Sequence, residues 1–142
     1  MSVLVFDAEL ADVRGVRARV AVGADQPLTA LHDAIQEAFR WADDHLYSFW
    51  LDGRFWGDRD AEFTSPIAAD EAPRTADVPL AELGLAVGQS IAYVFDFGDE
   101  WRVKLTVSEE VEPDGGAYPR VLTRTGTAPP QYPALDEVDE LA

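Results

Sequence analysis

Cysteine is absent from the 142 residues, which excludes disulfides, thiolate zinc sites, iron–sulfur clusters and cysteine nucleophiles. Basic residues are scarce: ten arginines and Lys104 alone stand against 27 acidic residues, for a formal net charge of −16. A phosphate backbone is repelled by such a field unless the few cations gather on one face. Direct nucleic-acid binding is therefore disfavoured, and cations or basic partners are the natural attractions. The tightest basic group, Arg14, Arg17 and Arg19, is split by strand alternation, which puts Arg17 and Arg19 together on a solvated face where acids can pair with them. No run approaches the roughly 18 uninterrupted apolar residues of a membrane span. Residues Met1 to Asp7 also lack the basic start of a signal peptide. The expected compartment is the cytoplasm, with no membrane partner.

Against these absences stands an apolar share of 47% that includes 4 Trp, 4 Tyr and 7 Phe, a mix that can offset ordering entropy by burial. The length suits one domain with its own core. We expect a single domain over 1–133 followed by an acidic tail, 134–142. Alternation in Val3 to Glu9 and Val13 to Val22, with a turn at Asp12 to Gly15, predicts an opening hairpin. Leu28, Leu31, Ala34, Ile35, Ala38 and Phe39 recur at helical spacing, with Thr29 as the expected N-cap. An aromatic strand from His45 to Leu51 is expected to turn at Asp52-Gly53 and pair with Arg54 to Trp56. Residues Gly57 to Pro79 read as a long polar surface excursion. A helical turn at Leu80 to Leu85, stopped by Gly84, precedes strands from Ile91 to Asp96 and Trp101 to Val111. A last strand is expected at Ala117 to Thr123, before a proline-rich extended segment. The fold class is α+β: a β-grasp-like mixed sheet curled around one main helix, with an added C-terminal hairpin.

The residues that carry chemistry are few. Asp96, Gly98 and Asp99 form a turn in which Gly98 supplies a positive φ and the aspartates cap backbone N–H groups. The triplet Asp96-Phe97-Gly98 matches the metal-binding triplet of protein kinases, but the glycine-rich loop, the strand lysine and the His-Arg-Asp loop are missing. A sharper alternative is a divalent cation held by His45, Asp96 and Asp99 with Asp43 and Asp44, since hard cations favour carboxylate clusters. Serine chemistry lacks a Gly-x-Ser-x-Gly elbow. His32, near the first turn of the helix with Gln36 one turn on, reads as a partly exposed neighbour of the sheet edge or a tie to a loop. The aromatic surplus points instead to recognition, with Trp41, His45, Tyr47, Trp50, Tyr93 and Trp101 as candidate binding residues.

Five segments taken in order carry a resemblance: Leu28 to Phe39; then Trp41, His45-Leu46 and Phe49; then Tyr93 to Trp101; then Tyr118-Pro119-Arg120; and Ala128-Pro129-Pro130. Together they resemble the plasmid pRiA open-reading-frame-three-like family over about residues 3 to 133. Relatives of that kind ride on plasmids and insertion sequences, one of them labelled the transposon passenger protein TnpR. The resemblance implies an α+β fold and bacterial cytosolic origin, and no settled activity. This chain departs from the pattern in four places: the C-terminal helix of many relatives is shortened to the acidic tail, Val103 stands where a His is usual, Gln131-Tyr132-Pro133 replaces an acidic and Cys-Gly-Gly stretch, and Arg40 stands where a Gly precedes the Trp. The last costs about 1 kcal/mol if the residue is left-handed.

The functional expectation is a non-enzymatic interaction module of mobile-element type, recognising a protein, peptide or small ligand, with no catalytic residues and no cofactor. Two alternatives stand beside it. One is a metal-assisted hydrolase or nucleic-acid-processing accessory linked to transposition, built on His45, Asp96 and Asp99 with a divalent cation. The other is an acidic decoy for a DNA-binding protein.

Overall fold

The computed structural model describes residues 2–42, 45–68 and 74–129. The expected acidic tail, together with Gln131-Tyr132-Pro133, Asp43 and Asp44, lies outside them. The described strands are β1 (Val3–Leu10), β2 (Arg17–Gly23), β3 (Tyr47–Trp50), β4 (Glu62–Thr64), β5 (Arg74–Thr75), β6 (Ser90–Phe95), β7 (Trp101–Val111) and β8 (Arg120–Thr125), and the helix is α1 (Leu28–Phe39). They form one open sheet in the order β5-β4-β3-β6-β7-β1-β2-β8. It is mixed, because the short β4–β5 pair is parallel while the others are antiparallel. The fold class is thus α+β, one helix packed on an eight-stranded sheet. No described helix is long and apolar enough to cross a membrane.

Alternation sorts the strands into two faces. One carries Leu4, Phe6, Ala8, Val20, Val22, Phe49, Tyr93, Val103, Leu105 and Val107, and α1 lays Leu28, Leu31, Ala34, Ile35 and Ala38 on it to close the main core. The opposite face buries two smaller groups: Val3, Val5 and Ala21 under Tyr118, and Trp50, Ala92 and Val94 under Phe55 and Phe97. On that face Arg19 bridges Asp7 at 2.9 Å and Glu109 at 3.1 Å, as the alternation of β2 predicts.

Several local expectations are corrected. Thr29 does not cap α1: Pro27 holds the N-cap position without a side-chain bond. The leading N–H groups of Leu28 and Thr29 donate instead to the carbonyls of Val78 and Ala76. A tertiary strap does the work usually given to a capping side chain. The stretch 57–79 is accordingly no pure surface excursion, since it supplies β4, β5 and the buried residues Phe63, Thr64, Ser65, Ala68 and Ala76. The partner of β3 is β4, in the register Ser48↔Thr64, Phe49↔Phe63 and Trp50↔Glu62, and Arg54 to Trp56 is not a strand. Gly53 at φ +78 and Trp56 at φ +54 coil that segment, folding Phe55 and Trp56 over Trp50.

The sheet also resolves the expected β-grasp-like outline differently. Because β6 and β7 form a hairpin and its second arm meets β1, the central pair β1–β7 is antiparallel. The last strand makes no C-terminal hairpin with β7, whose edges are taken by β6 and β1, and it adds to the free edge of β2 instead. Arg40 does adopt the left-handed conformation, φ 59 and ψ 40, as the C-cap of α1.

Candidate functional site

The helical spacing that buries Leu28, Leu31 and Ile35 also places His32 and Gln36 on the inner side of α1, where both are buried. Polar groups in such a position need partners, and β6 provides one. The Tyr93 hydroxyl lies 2.8 Å from His32 Nδ1 and accepts from Gln36 Nε2 at 3.0 Å. The hydroxyl thus joins the two helix side chains in one buried network. The imidazole stacks on Tyr47 with centroids 3.6 Å apart and planes 10° apart. His32 is thus buried and tied to the middle of the sheet, where a partly exposed neighbour of its edge was expected.

In front of this network opens a cleft of about 540 Å³, lined by Thr29, His32 and Asp33 of α1, His45 to Tyr47 at the start of β3, and Ser65, Pro66 and Ile67 after β4. Its volume falls in the range of small-ligand sites. The Ser65 hydroxyl is buried with no hydrogen-bond partner among the described residues, while Ile67 stands 86% exposed. The cleft is therefore lined by a buried serine, an imidazole stacked on an aromatic ring, and an apolar rim.

Of the six candidate binding residues, His45 and Tyr47 reach this cleft. Tyr93 stands behind it as the partner of His32. Trp41 is buried against Phe95, stacked at 5.5 Å, and against Trp101 at the same separation. Trp101 is half-buried on the main core. Trp50 is enclosed on the other face of the sheet.

The proposed cation ligands come together only in part. His45 Nε2 lies 3.4 Å from Asp96 Oδ2, while Asp96 Oδ1 accepts from the N–H groups of Gly98 at 3.2 Å and Asp99 at 3.3 Å. Asp99 is exposed, and no three His, Asp or Glu residues among those described are grouped to hold a metal ion. The turn is shaped as expected by Asp96 but not by Gly98: the positive φ angles belong to Asp96 at 64° and Glu100 at 55°. Aspartate tolerates the left-handed region because its short side chain bonds the local backbone, and that is the bond Asp96 makes.

The sequence reading missed a second aromatic group, on the face away from α1. Trp56, 46% exposed, packs on Trp50 and Phe97, each with centroids 5.2 Å away, and donates from Nε1 to Glu100 Oε1 at 2.8 Å. Arg102 donates to the same oxygen at 2.8 Å. These two bonds, Arg102 first, hold the Glu100 carboxyl below its ordinary pKa, and Glu100 in turn raises Arg102. Beyond β7, the Arg120 guanidinium, with the Gly116 N–H and the Tyr118 hydroxyl, holds the Asp114 carboxyl well below the usual carboxylate range. Nothing local in the sequence joins Trp56 to Glu100. Ser65 and Ile67 were hidden in the segment read as featureless, and the only available signal was His32 standing on an apolar helical stripe.

Residues 3–132 match the family described as plasmid pRiA4b ORF-3-like protein. The chain is 31% identical over 117 residues to the uncharacterized protein y4hQ of Sinorhizobium fredii, covering 82% of this chain and 58% of that protein, so it spans less than two thirds of that relative. A crystal structure of a protein of unknown function from Methanosarcina mazei Go1 superposes with a TM-score of 0.76 at 22% identity, covering 98% of this chain and 82% of the other. That likeness speaks for the fold alone. The family match over nearly the whole chain, in the order of the five segments, makes this protein a member of the plasmid pRiA4b ORF-3-like family.

Proposed function

We propose that the chain is a non-enzymatic binding module whose cleft between α1, the start of β3 and the turn after β4 takes a small or peptidic ligand. The observation that carries this reading is the buried Ser65 hydroxyl with no described partner, lining the same cleft as His32 and Tyr47 and standing beside the exposed Ile67. A buried polar group left without a bond costs about 1–3 kcal/mol, which a ligand offering an amide or hydroxyl would recover once the Ser65 side chain rotates toward the cleft. The stacked His32 and Tyr47 supply a rigid wall, and rigid aromatic walls bind at low entropic cost. A role beside plasmid functions is supported by the family's name.

Ligand-observed NMR with a library of amide-bearing fragments, mapped on 15N spectra, tests the reading. Hits should shift the resonances of Ser65, His32 and Tyr47 and be lost in Ile67→Glu, a change on an exposed side chain that leaves the core intact. Hits that map elsewhere, or bind Ile67→Glu equally well, refute it.

A second reading rests on the 3.4 Å approach of His45 to Asp96: a divalent cation bound there with Asp99 would serve a hydrolase or processing accessory. Calorimetric titration with manganese, magnesium and zinc separates the two. Heat that disappears in Asp99→Asn favours the cation, and its absence removes that reading.

A further inference from the structure

A different cleft, at the far end of α1, carries an inference independent of the ligand site above. It measures about 240 Å³ and lies between the last turn of the helix, Val16 at the entry to β2, and the end of β8 with the segment that follows it, Gly126 to Pro129. At roughly 30 Å³ per water it has space for a small oxyanion with some of its hydration. In a chain where acids outnumber bases by 27 to 11, no described lining residue is acidic, while Arg40 and Arg124 both line it. Arg17 also borders the cleft, but its register places it beside Thr125, and the alternation that turns Ala18 and Arg124 toward the helix turns Arg17 to the other face.

Neither Arg40 nor Arg124 has a carboxylate within ion-pair distance among the described residues. Arg124 reaches back under the helix, donating from Nε to the Ala38 carbonyl at 3.1 Å and from Nη2 to the Glu37 carbonyl at 3.3 Å. That uses two of its five N–H groups and leaves the rest of the fork available. Trp41 lines the same cleft, and its buried indole N–H has no acceptor among the described residues. Thr127 also borders the cleft, while Thr125 shares the outward face of Arg17.

A helix C-terminus ordinarily repels anions through its unpaired carbonyls. Here three of the last four carbonyls are taken: Arg40 N–H donates to Glu37 at 3.3 Å, Trp41 N–H to Gln36 at 3.0 Å, and Arg124 holds Glu37 and Ala38. The cleft is bordered by Arg40 and by Arg124, whose remaining N–H groups are not used by the helix end. We infer that this cleft is an oxyanion site, in which a carboxylate or phosphate group is held by Arg124, Arg40 and the Trp41 indole N–H. Guanidinium forks suit both groups because each offers paired oxygens. Two sources supply that chemistry. One is a free or ligand-borne phosphate or carboxylate; the other is the chain's own Asp136, Glu137, Asp139 and Glu140, which follow Pro129 in sequence.

Inorganic phosphate is titrated into the full chain, with sodium chloride at equal ionic strength as control, and the Trp41 indole N–H and Arg124 Nε–H resonances are followed after assignment with Trp41→Phe. Saturable shifts at these two groups, weakened about tenfold or more in Arg40→Gly, support the site. Arg40→Gly suits this test because φ 59 is a glycine conformation, so folding is preserved where Arg124→Gln would also strip the helix end of its partner. If phosphate shifts these groups only after Asp136, Glu137, Asp139 and Glu140 are all changed to Asn or Gln, the site stands and its occupant is the tail. If neither chain responds, or chloride produces the same shifts, or every arginine responds alike, the inference is overturned.

Discussion

Arg40 offers a measurement in which one backbone angle is tested almost alone. It sits at φ 59 and ψ 40, with its N–H bonded to the carbonyls of Gln36 and Glu37. A side chain bearing Cβ pays about 1–2 kcal/mol in the left-handed region, whereas glycine enters it freely but loses about 0.5–1 kcal/mol more backbone entropy on folding. Arg40→Gly and Arg40→Ala both remove an exposed cation from the negative end of α1, an interaction worth about 0.3–1 kcal/mol, and both keep the same backbone bonds. The difference between them is the strain less the glycine entropy, about 1 kcal/mol in favour of glycine. At this chain length that corresponds to a melting temperature about 3–4 °C higher for the glycine variant than for the alanine one. Scanning calorimetry on the two variants and the parent, in the same buffer, reads it directly. If Arg40→Ala melts at or above Arg40→Gly, residue 40 is not held left-handed and the account of this helix terminus fails.

Other perturbations follow from the same geometry. Tyr93→Phe removes the hydroxyl shared by His32 and Gln36 and leaves buried polar atoms unpaired, so urea denaturation should show a loss of about 1–3 kcal/mol; a neutral result would mean the network is solvated. Trp50→Ala empties the enclosed position under Phe55 and Phe97 and should cost about 3–5 kcal/mol, whereas a loss below about 1 kcal/mol would show that face of the sheet to be open. Glu100 is held ionised by Arg102 and Trp56, so its folded pKa lies below the ordinary 4.5. The stability it contributes is therefore present above 4.5 and is lost as pH falls through the lower folded value. A carboxyl titration followed by NMR should place its midpoint below 4.5, with the Trp56 indole resonance moving in step; a midpoint at or above 4.5 breaks the proposed tie.

How much of this could be read from the chain depends on the range of the interaction. Helix α1 was legible because Leu28, Leu31, Ala34 and Ile35 repeat at the period of its own backbone, and β1, β2, β6 and β7 were legible because their alternation is a property of each strand. The left-handed Arg40 was legible through the family pattern, since a single chain shows no glycine there. The strap of Ala76 and Val78 across the start of α1 was not, because the residues that replace the cap lie nearly fifty positions away. The cleft was half legible: His45 and Tyr47 were singled out for their chemistry, while Ser65 and Ile67 had no pattern to distinguish them.

What the sequence determined by itself is the material and its local habits: an acidic chain without thiols, one amphipathic helix, long alternating strands, and membership of a family whose motifs it repeats in order. Only the tertiary structure decided that the aromatic strand β3 pairs with Glu62–Thr64, that the last strand closes on β2, and that Trp56 meets Glu100. Local periodicity fixes which face of an element is apolar, but the choice among several apolar faces and free edges is made by how they fill one shared core and satisfy its buried donors, a condition no single segment contains.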